Sequence, residues 1–178
     1  MPKTIFTNFG EHTYDIVDAV GGPPVVIKVT EGTQGLGVYL AEDYYSAHSL
    51  LEAHNDLQSR VIVQEFIEEA KGSDLRIFIV GDTIVGSMKR QASEGEFRSN
   101  MHRGATALSV SLTPQEKALA LTVAKVLGLN VCGVDLIQSK RGPLLLEVNS
   151  SPGLEGIENA TRKNIARDII KYIEKNAK

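Results

Sequence analysis

Two carboxylates and one amide are spaced in the sequence so that they can share one face of a β-hairpin. Apolar runs flank the polar segment 140–142 and predict two strands joined by a tight turn. Asp135 and Glu147 are equally far from position 141, so a regular hairpin sets them opposite each other, with Asn149 on the same face. Like charges this close must share a proton or a cation, and these oxygen donors suit Mg²⁺. The pattern indicates a metal site at Asp135, Glu147 and Asn149.

The surroundings of these carboxylates favour a ligand on their face of the hairpin. Gly133 falls opposite Asn149, which leaves room above the sheet. The intervening positions are apolar and predict a core face, formed by Val134, Leu136, Leu146 and Val148. The alternative is an exposed strand whose acids are solvated or paired with Lys140 or Arg141.

A lysine and a glycine-rich loop form a second candidate site. Lys28 lies within the β-rich run 25–30, and Gly32, Gly35 and Gly37 follow it closely. Glycines can point successive N–H groups at phosphate oxygens, and a strand lysine can meet them as a point charge. The loop lacks the Gly-Lys-Ser/Thr ending of a Walker A motif, and a strand rather than a Rossmann-type helix follows it. A flexible hairpin tip without a ligand is the alternative.

These residues would be positioned by a mixture of helices and hairpin-linked strands. Helical spacing and end signals predict helices at 13–20, 42–56, 113–128 and 164–175, and β-rich runs predict strands at 25–30, 38–41, 60–67, 74–80, 83–90, 131–138 and 143–149. Because most neighbouring strands pair as hairpins, we predict an α+β fold with antiparallel sheets. Counting from the turn Gly81-Asp82 sets Asp74 opposite Lys89, and a surface pair between them is the alternative to a binding role for Asp74.

Composition excludes several classes of protein. A chain of 178 residues with a net charge of −3 fits about one globular domain and has no basic excess that would indicate nucleic-acid binding as its main role. Its apolar runs are too short to cross a bilayer, and Met1 is not followed by the apolar core of a signal peptide. The single cysteine, Cys132, rules out an internal disulfide. These features favour the reducing cytoplasm.

In chain order, the motifs resemble those of the ATP-grasp superfamily of carboxylate–amine ligases. The resemblance rests on Lys28, the glycine-rich hairpin, Gln64-Glu65-Phe66-Ile67, Asp74-Leu75-Arg76, Arg98-Ser99-Asn100, Asp135 and Glu147-Val148-Asn149. Segments 31–38 (EGTQGLGV), 94–104 (EGEFRSNMHRG) and 142–157 (GPLLLEVNSSPGLEGI) are most similar to the RimK-like subfamily, which adds glutamate to the C-terminus of a small-subunit ribosomal protein.

The resemblance implies a role for each matching residue. The nucleotide would be bound by Lys28, Gly32, Gln34, Gly35, Gly37, Glu65, Phe66, Asp74, Arg98, Ser99 and Asn100. Acyl-phosphate chemistry and substrate carboxylate binding would involve Arg90, Arg98, Asn100 and Arg103. Asp135, Glu147 and Asn149 match the positions that hold Mg²⁺ or Mn²⁺ in the family, usually as two ions. This implied metal set agrees with the hairpin argument made from spacing alone.

The resemblance also implies an architecture and an activity. Two α+β subdomains, 1–64 with the glycine-rich lid and 65–178 with the metal site, would grip ATP, and the family's upstream substrate domain would be absent. The chain would join an amino acid such as glutamate to a protein or small-molecule carboxylate through an acyl phosphate, releasing ADP and phosphate. A nucleotide-binding module without ligase activity is one alternative, and an interaction domain is another. The sequence leaves open the acyl acceptor and whether a homo-oligomer forms, and it predicts no membrane or direct nucleic-acid partner.

Overall fold

The chain divides into two compact units. The computed structural model describes residues 1–7, 12–31, 36–101 and 104–177. The units are Met1–Glu68 and Glu69–Lys178, whereas the family resemblance placed the division after residue 64. In the described part of the chain, no helix is both long enough and apolar enough to span a bilayer.

Both units contain strands and helices. The first unit contains β1 (Thr4–Thr7), α1 (Thr13–Ala19), β2 (Val25–Val29), β3 (Val38–Ala41), α2 (Tyr44–Asp56) and β4 (Val61–Glu65). A 3₁₀ turn at Glu68–Ala70 leads into the second unit. That unit contains β5 (Ser73–Val80), β6 (Thr83–Gln91), β7 (Thr106–Ser109), α3 (Pro114–Val126), β8 (Val131–Ser139), β9 (Gly142–Asn149), α4 (Glu155–Thr161) and α5 (Ile165–Asn176).

The first unit is an antiparallel sheet packed against two helices. Its strand order is β1-β4-β2-β3, with every neighbouring pair antiparallel. Val17 and Leu51, one from each helix, pack into the same buried cluster as Ile27 and Val63 of the two central strands. Because β2 and β4 are central, their side chains are held from both sides by neighbouring strands.

The second unit is a five-stranded antiparallel sheet in the order β7-β6-β5-β8-β9. Helix α3 begins with a capping box, in which Thr113 and Glu116 each bond the other's backbone N–H. The helix covers one face of the sheet through Ala120 and Ala124. Leu75 and Ile77 of β5 point to this face. The opposite face, called the site face below, therefore carries the alternate residues of β5.

The site face is partly core and partly polar. At one end of β5, Phe78 and Val80 pack against Ile157 of α4 and Ile165 of α5. Toward the start of the strand, the same face carries Asp74 and Arg76. A single strand thus supplies both a packed core and a row of charges.

A β-bulge sets the register of the β5–β6 hairpin. Ile79 pairs with Ile84, but Phe78 pairs with Gly86, so Val85 is an extra residue in β6. The shift places Arg90, rather than Lys89, opposite Asp74. The predicted Asp74–Lys89 pair is therefore wrong, because counting from the turn assumed a hairpin without a bulge.

A second bulge sets the register of the β8–β9 hairpin. The turn consists of Lys140 and Arg141, and Leu136 pairs with Leu145. Leu146 is then extra, so Asp135 pairs with Glu147 as predicted. The predicted contribution of Leu146 to the core is wrong: the β9 residues that pack on the α3-side cluster are Leu145 and Val148.

Candidate active site

The two carboxylates of the β8–β9 hairpin occupy very different environments. The Asp135 side chain has no exposed surface, whereas that of Glu147 is 54% exposed. Both lie on the site face, on neighbouring strands and in register. One carboxylate is therefore fixed within the protein while its partner faces solvent.

Arg76 bridges these two carboxylates from the neighbouring strand β5. Its backbone pairs with that of Asp135, and its side chain forms a bidentate ion pair with that carboxylate, Nε to Oδ1 at 2.8 Å and Nη2 to Oδ2 at 2.6 Å. The same Nη2 lies 3.8 Å from Oε1 of Glu147. Arg76 belongs to the motif 74–76 that resembles the family, but the resemblance implied no role for it.

Arg90 extends the ion pairs to the next strand. Its Nη2 donates to Oδ2 of Asp135 at 2.8 Å and to Oδ2 of Asp74, and its Nε donates to Oδ1 of Asp74 at 2.7 Å. Ser99 adds a side-chain hydrogen bond to Asp74. The charged ladder Asp74–Arg90–Asp135–Arg76 therefore runs across β6, β5 and β8. Arg90, predicted to meet a substrate carboxylate or developing phosphate charge, is buried with its guanidinium bound to two carboxylates of the protein.

Burial and ion pairing act in opposite directions on the pKa values in this ladder. Burial raises the pKa of Asp135, but hydrogen bonding by Arg76 and the charges of Arg90 and Arg76 outweigh it and hold the pKa below its usual range. For Asp74, burial outweighs the lowering by Arg90, so the pKa is raised. Burial opposes the charged form of Arg90, yet its bond to Asp74 and the charge of Asp135 raise its pKa.

Asn149 completes the predicted donor set and lies opposite Gly133, whose surroundings differ from those expected. Asn149 pairs with Gly133, as predicted, and its Nδ2 donates to Oε1 of Glu147 at 3.3 Å. A Cβ on Gly133 would lie 2.9 Å from Cβ of Pro152 and 3.9 Å from Nε of Arg76. The expectation that this glycine leaves room for a ligand is wrong, since Pro152 and Arg76 use the space.

The donor set fits a hard divalent cation, on one condition. Within the described ranges, no three His, Cys, Asp or Glu side chains cluster to hold a metal, so the Asn149 amide oxygen is needed beside Asp135 and Glu147. The amide now turns its NH₂ toward Glu147 and would have to present its oxygen instead. The cation would also have to share the carboxylate oxygens with Arg76.

The loop after β6 is organised around Glu96, a residue that sequence analysis missed. Its Oε1 accepts from the backbone N–H groups of Phe97 and Arg98, and both carboxylate oxygens bind the Arg98 guanidinium, at 2.8 and 2.7 Å. The Arg98 hydrogen bonds, opposed by burial, lower the Glu96 pKa to about 2. Arg98 also lies over the ring of Phe97. The loop thereby presents Ser99 and half-buried Asn100 from a fixed base.

In the first unit, a hydrogen-bonded chain orients the predicted phosphate-binding lysine. Lys28 Nζ donates to Oε1 of Gln64 at 2.8 Å, and Gln64 Nε2 donates to Oγ1 of Thr4 at 2.9 Å. Gln64 is 4% exposed, so its amide is a fixed acceptor for the lysine. The next residues, Glu65 and Phe66, are half-buried, and Glu65 accepts from the backbone N–H of Lys3 at 3.1 Å.

The predicted residues fall into four groups. The second unit brings together Asp74, Arg90, Ser99, Asp135, Glu147 and Asn149, while the first unit holds Lys28, Gly37, Glu65 and Phe66. Arg98 and Asn100 belong to the Glu96 loop. Gly32, Gln34, Gly35 and Arg103 lie outside the described residues.

Comparison with known proteins decides the family. Residues 1–173 match the RimK-like ATP-grasp domain. The chain belongs to this family. The predicted family and the α+β fold with antiparallel sheets are thus confirmed.

Similar proteins from two bacteria are both named probable alpha-L-glutamate ligase. The chain is 56% identical over 178 residues to a probable alpha-L-glutamate ligase of Hydrogenovibrio crunogenus and 57% identical to one of Marinobacter nauticus. It is covered completely in both alignments but spans 59% of each relative's length.

Solved structures with low sequence identity share the fold of this ATP-grasp domain. The ATP-grasp ligase PsnB, complexed with a phosphomimetic variant of its minimal precursor, Mg and ADP, superposes with a TM-score of 0.76 at 19% identity, covering 100% of this chain and 54% of PsnB. D-alanine–D-alanine ligase from Bacillus anthracis gives a TM-score of 0.72 at 18% identity, covering 98% and 61%.

Proposed function

We propose that this ATP-grasp domain takes part in ATP-dependent ligation of an amino acid to a carboxylate. The carrying observation is the in-register pair of Asp135 and Glu147 beside Asn149, a donor set that suits Mg²⁺ on an otherwise packed sheet. Relatives named probable alpha-L-glutamate ligases make glutamate the amino acid we favour. A protein C-terminus, such as that of a ribosomal protein, is the acceptor suggested by the family.

The proposed chemistry is phosphoryl transfer followed by acyl transfer. A substrate carboxylate attacks the γ-phosphate of ATP to give an acyl phosphate and ADP, and the amine then displaces phosphate to form the amide. Bound Mg²⁺, as one or two ions, would supply charge neutralisation and orientation of the transferred phosphoryl group. Asp135, Glu147 and Asn149 are the residues that would hold it.

The chain's own residues have proposed roles in binding and orientation. Lys28, held by Gln64, meets the phosphates as a fixed positive charge. Glu65 and Phe66 follow on from Gln64 and present backbone groups to the adenine. In the second unit, Asp74 is proposed to act near the ribose, and Ser99 and Asn100 to contact phosphate oxygens.

Arg90, buried in the sheet, and Arg98, in the loop after β6, are proposed to act by electrostatics. Arg90 links two buried carboxylates and so fixes the position of Asp135. Arg98 is held by Glu96 and contributes positive charge from the loop. The single cysteine, Cys132, cannot form an internal disulfide, and we propose the reducing cytoplasm as the compartment.

Calorimetry and a ligation assay test this proposal. ATP should bind in the presence of Mg²⁺ and bind more weakly without it, and Glu147→Gln should remove most of this difference. Glu174→Gln on the exposed side of α5 is the matched control. Release of ADP and phosphate that depends on added glutamate and an acceptor peptide would support ligation. The same assays should be run on a full-length relative. If both proteins bind ATP with Mg²⁺ but neither releases ADP and phosphate in this way, the result would instead support a nucleotide-binding module.

A further inference from the structure

Arg76 occupies a position where it would compete with a cation held by Asp135 and Glu147. Its guanidinium donates to both oxygens of Asp135, and its Nη2 lies 3.8 Å from Glu147. The Arg76 side chain is 17% exposed, so it is reachable from solvent on the same side as Glu147. It therefore touches two of the three side chains that would hold a metal.

The charge balance of the cluster shows what Arg76 contributes. Asp74, Asp135 and Glu147 carry three negative charges, and Arg76 and Arg90 carry two positive charges. Arg90 is divided between Asp74 and Asp135, so Arg76 is the arginine that serves the Asp135–Glu147 pair. Removing Arg76 would leave buried Asp135 and half-exposed Glu147 in register with less positive charge between them. Such a pair of like charges is unfavourable in a sheet.

The geometry also limits how Asp135 can bind a metal ion in addition to Arg76 and Arg90. A carboxylate offers about four acceptor sites. Three are already used, one on Oδ1 by Arg76 Nε and two on Oδ2 by Arg76 and Arg90. A divalent cation placed on Asp135 and Glu147 must take the remaining site and approach a guanidinium, which carries like charge.

We propose that Arg76 is a built-in counter-cation that lowers the affinity of the nucleotide-free protein for divalent metal at Asp135 and Glu147. This inference rests on the proposed cation site. Nucleotide phosphates add negative charge and so allow the guanidinium and the metal to remain together. Arg76 thereby makes metal binding depend on nucleotide, and it acts as a positioning residue through Asp135.

Titration with Mn²⁺ in the absence of nucleotide tests this role. Arg76→Met should bind Mn²⁺ on the order of tenfold more tightly than the unchanged protein, because one competing positive charge is removed at contact distance. Arg76→Lys keeps the charge and should stay close to the unchanged protein. Arg167→Met, an exposed arginine on α5, is the matched control and should have no effect.

Thermal unfolding provides a second readout and shows whether the variants fold. Without metal, Arg76→Met should unfold at a lower temperature than the unchanged protein, and Mn²⁺ should raise its Tm more than it raises that of the unchanged protein. If Arg76→Met does not fold, Arg76→Gln, which can still donate to Asp135, replaces it in both measurements. A purely structural role for Arg76 predicts lower stability with no gain in metal affinity.

The outcomes separate this inference from the proposed function. Binding of Mn²⁺ with ADP to the unchanged protein, and its loss in Glu147→Gln, would support the cation site. If, in addition, neither neutral Arg76 variant gains metal affinity without nucleotide, the counter-cation role is overturned and the cation site stands. If no variant binds Mn²⁺, even with ADP, the proposed cation site fails, and the inference fails with it.

Discussion

Glu147 lies opposite Asp135 because Leu146 is an extra residue in β9. The bulge separates the core-packing Leu145 from Glu147 and leaves the carboxylate more than half exposed beside a fully buried one. A buried acid anchored by arginines and an exposed acid in register with it form a site whose two halves respond differently to substitution. The first two predictions follow from this difference.

Glu147→Gln should affect metal-dependent function far more than stability. The side chain is 54% exposed, so the free energy of unfolding should change by no more than about 0.5 kcal/mol. Mg²⁺-dependent binding of ATP should fall by at least about tenfold, since a carboxylate ligand is lost. Urea denaturation and calorimetry measure the two effects, and a large loss of stability with unchanged binding would contradict the prediction.

Asp135→Asn should instead destabilise the second unit strongly. The substitution leaves Arg76 and Arg90 without their shared buried carboxylate. Removing one partner from a buried ion pair costs about 3 kcal/mol or more. Equilibrium unfolding in urea, with Glu147→Gln as the matched control, measures the cost. A change as small as that of the control would mean that the ladder does not stabilise the fold.

Arg90 and Lys89 should differ sharply although they are adjacent in sequence. Arg90→Ala removes the bidentate partner of buried Asp74 and should cost about 3 kcal/mol or more. Lys89→Ala removes a half-buried side chain that does not face Asp74 and should cost about 0.5 to 1 kcal/mol. Thermal unfolding of the two variants compares them. The opposite ranking would imply a regular β5–β6 hairpin without the bulge at Val85.

The carboxyl of Glu96 should titrate unusually low. The hydrogen bond from the Arg98 side chain, helped by the backbone N–H groups of Phe97 and Arg98, lowers the pKa from 4.5 to about 2. Because the folded-state pKa lies below the unfolded one, the stabilisation is present above pH 4.5 and is lost as the pH falls toward about 2. Carboxyl ¹³C NMR measures the midpoint. Arg98→Gln should move it back toward 4.5, and an unchanged midpoint would assign the shift to the backbone.

Gln64→Leu should weaken nucleotide binding without unfolding the first unit. The substitution is close to isosteric and removes the acceptor that holds Lys28. If Lys28 binds phosphate, affinity for ADP should fall by about three- to tenfold, equivalent to about 1 kcal/mol for one lost orienting hydrogen bond. Calorimetry measures this loss, and Thr4→Val, one step further along the chain of hydrogen bonds, should have a smaller effect. Equal affinity in all three proteins would remove Gln64 from the proposed site.

The two hairpins show how far the sequence could predict the geometry. Counting residues correctly placed Glu147 opposite Asp135 because two differences from a regular hairpin cancel. The turn is one residue shorter than assumed, and Leu146 adds one residue to β9. The same counting failed for Asp74, because the bulge at Val85 has no such compensation. In β9 a signal existed, since three successive leucines interrupt the alternation of core and surface positions.

The buried charges were the least predictable part of the site. The family resemblance implied that Arg90 meets substrate, and a solvated surface charge was the alternative. Neither expectation placed it between two carboxylates, because charged side chains are seldom fully buried. The partners come from three strands, and Asp135 of β8 lies 45 residues after Arg90 in the sequence. The short elements β1, β7 and α4 were also missed, because segments this small are held by tertiary packing rather than by a strong local pattern.

The division of β5 into a packed half and a charged half also determines where the protein can adapt. Phe78 and Val80 are held between strands and helices, so the backbone that carries Arg76 cannot shift without opening the core. The charged ladder is therefore preorganised, because the entropy cost of ordering its side chains is met during folding. Adjustment to a bound ligand must therefore fall to exposed Glu147, half-buried Asn149 and the Glu96 loop. Two of these three are proposed cation ligands. The Glu96 loop is therefore the part that selection, or a designer, could vary while the electrostatic centre and the proposed cation ligands stay in place.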